Sequence, residues 1–487
     1  MHNRPIIGLF LGPLLGGLLL LLPLPDGLSA EGMRVAAITV LMAVWWISEA
    51  VPIPATALLP IALFPLFGVM KTAQVTSAYA NHLIYLFLGG FLIAVTMQRW
   101  GLHKRIALHI IRLVGFSPQR IIFGFMLATA FLSMWISNTA TAMMMVTIGL
   151  ALVSQVAAMQ GMDDRNADEP SSFATALMLG IAYAASIGGV ATLIGTPPNA
   201  ILAGVVEKTY GISIGFADWM LFGLPLSAIM LLFTWYYLTH IIHRQDNAEL
   251  AGGKQLITEE LVNLGRMSRQ ETRVLIVFAS VAVAWVLRGI IEMDALALVT
   301  DSSIAIMGAV ALFVIPADFK RREFLLDWPT AVTIPWDIII LFGGGFALAQ
   351  GFAGTGLTQW LANQLTVLHG AHLLVLVGAI VLLVIFLTEV TSNTATASLM
   401  LPVMGGFAVA IDVHPLVTMV AVALAASFAF MLPIATPPNA IVFASRAVTI
   451  PQMAKAGLVL NLLGVVLITL FVMYVLPHVL DVDGHGL

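Results

Sequence analysis

Long apolar runs separated by short polar connections occupy most of the 487-residue chain. Runs long enough to cross a bilayer lie at 6–24, 34–48, 52–70, 84–98, 173–205, 217–242, 271–289, 302–316, 334–352, 416–448 and 453–478. Two further runs, 121–158 and 371–410, each contain the polar sequence Ser-Asn-Thr near the middle. This pattern predicts an all-α polytopic membrane protein with about eleven transmembrane helices and two re-entrant hairpins that turn at Ser-Asn-Thr.

Two polar motifs occur twice, in the same order. Ser-Asn-Thr-Ala-Thr-Ala starts at Ser137 and again at Ser392, and Thr-Pro-Pro-Asn-Ala-Ile starts at Thr196 and again at Thr436. Gly-Gly-Phe blocks, which predict close helix packing, recur at the Ser-Asn-Thr spacing of 255 positions (89 to 344, 137 to 392). The Thr-Pro-Pro-Asn spacing is 240 positions (196 to 436), because the first half holds an extra acidic segment, 161–170, of no assigned role. The chain therefore contains an internal repeat.

Basic residues indicate that the repeats are inverted. The stretch 99–120 holds Arg99, Lys104, Arg105, Arg112 and Arg120, whereas the equivalent stretch 354–375 has no Lys or Arg. Since cytoplasmic flanks collect Lys and Arg, the two equivalent stretches are expected on opposite faces of the membrane. A cytoplasmic N-terminus and an external C-terminus place all Lys and Arg inside except four, namely Arg34, Lys71, Lys208 and Arg288.

The repeated motifs suit ion binding at helix breaks. The N-terminus of a half-helix after Ser-Asn-Thr attracts anions through free N–H groups and the helix dipole. Proline removes a backbone donor, so Pro197 and Pro437 are expected to break a second helix in each half and free carbonyls for a cation. Alone, such motifs are ordinary caps and kinks. Duplicated in register, they predict a substrate site at the repeat interface.

Composition narrows the function. The chain is 60% apolar and 9% charged, with mean hydropathy +1.01 and net charge −4, and it shows no patch for nucleic acid. It has no cysteine, which excludes disulfides and thiol chemistry, and no motif typical of an enzyme. No Lys or Arg lies in the middle of an apolar run. A bound anion would therefore need co-bound cations, which favours sodium coupling.

One acid, Glu389, lies deep in an apolar run. An intramembrane acid is a functional candidate by default, and Glu389 could relay protons or brace the second hairpin by hydrogen bonds. The first repeat has Met134 at the equivalent position. The shared turn geometry therefore does not require the acid, and bracing is the favoured interpretation.

These motifs resemble those of the divalent anion/sodium symporters, the INDY-type carriers of dicarboxylates and citrate. The stretch Ala-Ser-Phe-Ala-Phe-Met-Leu-Pro-Ile-Ala before Thr436 is also similar, and the likeness covers about 34–478. It implies a homodimer of elevator-type transporters. The substrate residues that it implies are Ser137, Asn138, Thr139, Ser392, Asn393 and Thr394, with Thr196, Pro197, Thr436 and Pro437 close by. The sodium residues that it implies are Ser133, Ser137, Asn138 and Gly195 at a first site and Thr388, Ser392, Asn393 and Ala435 at a second.

Together the repeat and the resemblance predict a division of the chain. We expect scaffold parts at 1–120 and 271–370, transport parts at 121–242 and 371–487, and a cytoplasmic loop at 243–270. The predicted function is a sodium-coupled secondary active symporter that imports C4 dicarboxylates of the succinate, malate and fumarate type across a bacterial inner membrane, with sodium as the co-transported ion. The alternatives are a dicarboxylate exchanger on the same fold, a citrate or sulfate carrier, and a membrane sensor or channel.

Overall fold

The computed structural model of the chain describes residues 4–159, 171–244, 253–290, 298–364 and 372–480. The acidic segment 161–170 lies outside these described residues. The helices are α1 Arg4–Leu21, α2 Ala30–Ser48, α3 Ile53–Ala57, α4 Leu59–Leu66, α5 Thr72–Ala78, α6 His82–Arg99, α7 Leu102–Val114, α8 Pro118–Ser133, α9 Asn138–Met159, α10 Ser172–Gly189, α11 Pro197–Tyr210, α12 Phe216–Tyr236, α13 Gly253–Leu264, α14 Arg269–Ile290, α15 Asp301–Val314, α16 Trp328–Ala331, α17 Trp336–Gly354, α18 Leu357–Gln364, α19 Leu373–Thr388, α20 Asn393–Ala410, α21 Pro415–Ala426, α22 Pro437–Ala444, α23 Ile450–Tyr474 and α24 Leu476–Val479. A π-helical turn, Tyr237–Ile242, continues α12, and two short antiparallel strands are β1 Pro316–Asp318 and β2 Glu323–Phe324.

Every apolar run that the sequence predicted to span the membrane contains a helix or a broken pair of helices. Within the described residues, nine helices are long and apolar enough to cross a membrane by length and composition. Shorter apolar helices include Asp301–Val314 and Pro415–Ala426. The all-helical membrane fold is therefore confirmed.

The helix boundaries reproduce the internal repeat. The first hairpin arms, α8 and α9, have counterparts in α19 and α20, and α9 and α20 begin at the equivalent residues Asn138 and Asn393. The Thr-Pro-Pro motifs break helices as predicted, because α11 begins at Pro197 and α22 at Pro437. Proline is favoured at a first helical position, where its missing N–H has no intrahelical partner to lose.

The glycines of the Gly-Gly-Phe blocks allow two helix contacts. A Cβ on Gly89 of α6 would lie 2.6 Å from the carbonyl carbon of Ala305 in α15. A Cβ on Gly344 of α17 would lie 2.6 Å from the carbonyl oxygen of Ala57 in α3. Only glycine permits such approach, so the predicted packing role of these blocks is confirmed.

The segment expected as a cytoplasmic loop, 243–270, contains the helix α13. Ile257 and Leu261 lie four positions apart, on one face of this helix, and Ile257 is fully buried. Glu260 Oε2 of α13 lies 2.6 Å from Lys104 Nζ of α7. The helix is too short and too polar to be recognised among the apolar runs of the sequence. Its ion pair with Lys104 connects α13 to α7.

The two helices at the centre of the molecule are α10 and α21. All twelve residues of α21 are buried, as is every residue of α10 after Ser172. Both helices end inside the protein, α10 at Gly189 and α21 at Ala426. The irregular segments that follow them therefore lie in the protein interior, where non-helical backbone is tolerated at membrane depth.

Candidate functional site

Both hairpin turns and both broken helices line a single cavity of about 530 Å³. The cavity wall includes every residue that the sequence assigned to substrate: Ser137, Asn138, Thr139, Thr196, Pro197, Ser392, Asn393, Thr394, Thr436 and Pro437. Gly195 and Ala435 of the predicted sodium sets also line it. These residues come from four separate stretches of the chain, and the fold brings them together. Their roles as ligands stay a prediction.

A cluster of oxygen atoms lies behind the first hairpin turn. The fully buried Ser133 hydroxyl donates to the Ala185 carbonyl at 2.7 Å and contacts Asn138 Oδ1. Turned the other way, the Asn138 amide nitrogen donates to the carbonyls of Gly195 at 3.2 Å and Ala185 at 3.1 Å. In that second orientation the amide supplies protons to these oxygens. With Oδ1 inward, as a bound cation would require, the oxygens of Ser133, Asn138 and the two carbonyls share only the Ser133 hydroxyl proton. A hard cation, which takes oxygen ligands, fits such a cluster.

The second hairpin repeats this arrangement. Thr388 Oγ1 lies 2.7 Å from Asn393 Oδ1 and 3.1 Å from the carbonyl oxygen of Ala426. A hydroxyl has one proton and cannot donate fully to both acceptors, so this cluster also has surplus oxygen. Thr388 and Asn393 lie 255 positions after Ser133 and Asn138. Like Ser133, Thr388 is fully buried and lies behind the cavity wall.

The last residue of each Thr-Pro-Pro-Asn motif fixes the broken helix. Asn199 Nδ2 donates to the carbonyls of Val190 at 3.2 Å and Thr192 at 2.8 Å. These two carbonyls are therefore occupied by an amide. The role of carbonyls at the proline breaks as cation ligands stays a prediction. A signal for the positioning role of Asn199 was present in the sequence, because the same Asn follows both Pro-Pro pairs.

Its counterpart Asn439 makes the equivalent bonds in the second half. Asn439 Nδ2 donates to the carbonyls of Ala429 and Leu432, both at 3.1 Å. Asn199 and Asn439 are both fully buried. They act as positioning residues that shape the segment between the two half-helices.

Glu389 has the contacts expected of a brace. Its Oε1 accepts hydrogen bonds from the backbone N–H of Phe430 at 2.8 Å and Met431 at 2.9 Å, and from Asn461 Nδ2 at 2.7 Å. Its Oε2 accepts from the N–H of Leu432 at 3.0 Å. The carboxylate thus links the second hairpin turn to the broken segment after α21 and to α23.

In the first half a hydroxyl takes the place of this carboxylate. Thr192 Oγ1 donates to the carbonyl of Met134 at 2.6 Å and accepts from the N–H of Gly195 at 3.0 Å. Met134 is the residue equivalent to Glu389. The same connection between hairpin turn and broken segment is therefore made by neutral groups.

Two acids that no motif had indicated, Glu49 and Asp337, line the same cavity. Glu49 follows the end of α2 with φ of 52°, and Asp337 lies in the first turn of α17. Acids at the ends of spans are common, which is why the sequence did not mark them. Among the residues that line the cavity there is no Lys, Arg or His. The described residues also contain no group of three or more His, Asp or Glu that could hold a metal ion.

The chain is similar to one protein family and to known transporters. Residues 6–479 match the family model described as the sodium:sulfate symporter transmembrane region. A sodium-dependent dicarboxylate transporter, SdcS, of Staphylococcus saprophyticus is 46% identical over 98% of this chain and 92% of its own length. The SdcS protein of a bovine Staphylococcus aureus strain is also 46% identical, with the same coverage.

Solved structures share the fold at low sequence identity. The YdaH transporter of Alcanivorax borkumensis superposes with a TM-score of 0.57 at 13% identity, over 90% of this chain and 98% of its own. MtrF of Neisseria gonorrhoeae, from a class of antimetabolite efflux pumps, gives a TM-score of 0.59 at 13% identity, over 93% of this chain and 96% of its own. These similarities support the membrane fold alone.

Proposed function

Because the chain belongs to the sodium:sulfate symporter family, we propose that it imports a C4 dicarboxylate together with sodium ions across the bacterial cytoplasmic membrane. Family membership makes the chain an integral membrane transporter and not an enzyme, as predicted. The observation that carries the proposal is the cavity, where two helix-terminal turns and two oxygen clusters converge without a basic side chain.

A dianion with a charge at each end suits this cavity. The helices α9 and α20 both begin at its wall, so two sets of N–H groups and helix dipoles are available for two carboxylates. Ser137, Thr139, Ser392 and Thr394 add hydroxyl groups beside these turns. The relatives that are 46% identical are named as dicarboxylate transporters, which favours a dicarboxylate over the sulfate of the family description.

Sodium would occupy the two oxygen clusters. Ser133, Asn138 and the carbonyls of Ala185 and Gly195 surround the first. Thr388, Asn393 and the carbonyl of Ala426 surround the second. Two sodium ions would cancel the charge of the dianion, so a third sodium would make each cycle carry net positive charge inward.

The cavity wall divides along the predicted boundary between scaffold and transport parts. All the motif residues belong to 121–242 and 371–487, whereas Phe87, Leu341 and the two acids belong to 1–120 and 271–370. Such a division supports an elevator movement of one part against the other. We propose a homodimer that moves in this way, with a cytoplasmic N-terminus and an external C-terminus.

Uptake into proteoliposomes tests the proposal. Labelled succinate, citrate and sulfate are supplied with and without a sodium gradient, and the membrane potential is set by potassium and valinomycin. We expect succinate uptake to need sodium. If more than two sodium ions accompany each dianion, uptake should also rise with inside-negative potential, since each charge gains about 2.3 kcal/mol per 100 mV.

Two outcomes would replace the proposal. Uptake that is independent of sodium and of membrane potential, and that is stimulated by internal dicarboxylate, would identify an exchanger. Sodium-driven uptake of sulfate or citrate without succinate uptake would retain symport and change the substrate.

A further inference from the structure

We infer that Glu49 and Asp337 form an electrostatic filter, which keeps the dianion out of the cavity until sodium has filled the oxygen clusters. The inference rests on the proposed function and deepens it. It assigns the order of binding, and the prevention of sodium-free anion transport, to two residues outside the repeated motifs.

Both acids face the space where the anion would sit. Glu49 and Asp337 are exposed and line the same cavity as Asn138 and Asn393. Exposed carboxylates are ionised at neutral pH. Before any ion binds, the cavity wall therefore carries two negative charges, and its lining contains no Lys, Arg or His to offset them.

Neither acid has a cationic partner among the described residues. The ion pairs found there join His82 to Glu207, Arg99 to Glu323 and Asp327, Lys104 to Glu260, Arg105 to Glu271, Arg288 to Asp301, and Arg321 to Asp318. The charges of Glu49 and Asp337 thus remain directed at the cavity instead of being used in a structural ion pair.

The position of Glu49 argues against a purely structural role. Its backbone is in the left-handed region, with φ of 52°, where a residue other than glycine, asparagine or aspartate is strained. It also follows the C-terminus of α2, where the helix dipole disfavours negative charge. The positive φ disfavours any residue with a side chain, and the helix dipole disfavours an acid in particular, which indicates a functional reason for Glu49. Asp337, in the first turn of α17, is favourably placed for its helix, so only its position at the cavity points to function.

The size of the cavity lets the acids act on its contents. Treated as a sphere, a volume of about 530 Å³ is about 10 Å across, which is close to the Debye length of about 8 Å at physiological ionic strength. The repulsion therefore reaches a dianion anywhere in the cavity. Sodium in the two clusters offsets the two carboxylates, so the dianion is no longer repelled as it enters. The acids stay with the protein and do not change the charge that sodium and dianion carry together in each cycle.

The double variant E49Q/D337N tests the filter. The KM for succinate is measured in proteoliposomes at saturating sodium and at about one tenth of the half-saturating sodium concentration. We expect the variant to lower KM about tenfold at low sodium and less than about twofold at saturating sodium, because sodium already neutralises the wild-type cavity. Sodium-independent succinate counterflow should also appear in the variant.

Matched variants separate charge from shape. D26N/E31Q removes the same charge at exposed positions away from the cavity, and it should behave as wild type. E49D/D337E keeps the charges, and it should restore the wild-type sodium requirement. If the double variant does not yield monodisperse protein, E49Q and D337N are tested singly. Each should lower the KM for succinate about threefold at low sodium.

The two proposals fail in different ways. Wild-type uptake that is indifferent to sodium overturns the proposed symport and, with it, the filter. Sodium-dependent wild-type uptake overturns the filter alone if E49Q/D337N leaves KM unchanged, or lowers it equally at both sodium concentrations.

Discussion

The two hairpin turns share one geometry and differ in how they are held. In both halves an Asn starts the second arm, and a buried hydroxyl of the first arm contacts its amide oxygen. The first turn is connected to its broken helix by the neutral hydroxyl of Thr192, whereas the second is connected by the carboxylate of Glu389. The difference shows that the oxygen cluster is the common element and the brace is a replaceable support.

A charged brace has different consequences from a neutral one. Glu389 accepts four hydrogen bonds, from three consecutive backbone N–H groups and Asn461, whereas Thr192 makes one bond on each side. Hydrogen bonds to charged groups are worth about 1.5–3 kcal/mol, against about 1 kcal/mol for neutral ones. The second half should therefore depend more on its brace than the first.

The largest expected contrast between the halves is the side of the membrane on which equivalent residues lie. His109 of α7 and Gln364 of α18 are exposed and 255 positions apart. In this naturally cysteine-free chain, we expect His109→Cys to react with an impermeant maleimide only from the cytoplasmic side and Gln364→Cys only from outside. The unmodified chain, which should not react, is the control. Labelling of both residues from one side would contradict the inverted repeat.

A second contrast compares the turns directly. Asn138→Ala and Asn393→Ala each remove an amide from an oxygen cluster that also faces the cavity. We expect either change to reduce sodium-driven succinate uptake about 100-fold, the effect of losing two or three polar contacts at about 1–1.5 kcal/mol each.

Thr147→Ala provides the control for this pair, because its exposed hydroxyl on α9 bonds only the Met143 carbonyl. It should retain uptake. If one Asn variant keeps wild-type uptake and sodium dependence while the other is inactive, only one cluster serves transport, and the equivalence of the turns is lost.

The smallest expected contrast is between the braces. Glu389→Gln replaces an acceptor oxygen by an NH₂ group that faces backbone donors, and it should lower the melting temperature and raise the half-saturating sodium concentration about tenfold. Thr192→Val removes hydrogen bonds between neutral groups and should raise the half-saturating sodium concentration about threefold. Both are measured by uptake and by thermal stability in detergent, with Glu259→Gln on the exposed face of α13 as the control.

A change in pH dependence would decide between the two roles of Glu389. If Glu389→Gln alters the pH profile of uptake and leaves the melting temperature unchanged, a proton relay replaces the brace. If Glu389→Gln and Thr192→Val raise the half-saturating sodium concentration equally, the charge of the brace does not matter.

The breaks in the helices could be predicted from sequence because they depend on local residues. Ser-Asn-Thr and Thr-Pro-Pro interrupt apolar runs, and their duplication fixed the equivalent starts of α9 and α20 and of α11 and α22. The repeat predicted that the four motifs lie close together. In the structure they line one cavity.

Other features depend on tertiary contacts that the sequence does not reveal. The carbonyls of Ala185 and Ala426 belong to backbone on other helices, so no side-chain pattern marks them. Glu49 and Asp337 are far from the motifs along the chain and reach the cavity only through the packing of α2 and α17. The motif residues that line the cavity were therefore predicted from the sequence, and the two acids that line it with them were not.

The amides of Asn199 and Asn439 have a consequence for the choice of ion. They tie each half-helix to carbonyls of the segment before it, beside the oxygen cluster that we propose for sodium. Discrimination between hard cations depends on cavity size and on the flexibility of the ligands. If the clusters bind sodium as proposed, segments fixed in this way would contract poorly around lithium and open poorly for potassium, so ionic radius would decide which ion binds. Lithium should then support uptake only in part, while potassium can set a membrane potential without entering the cycle.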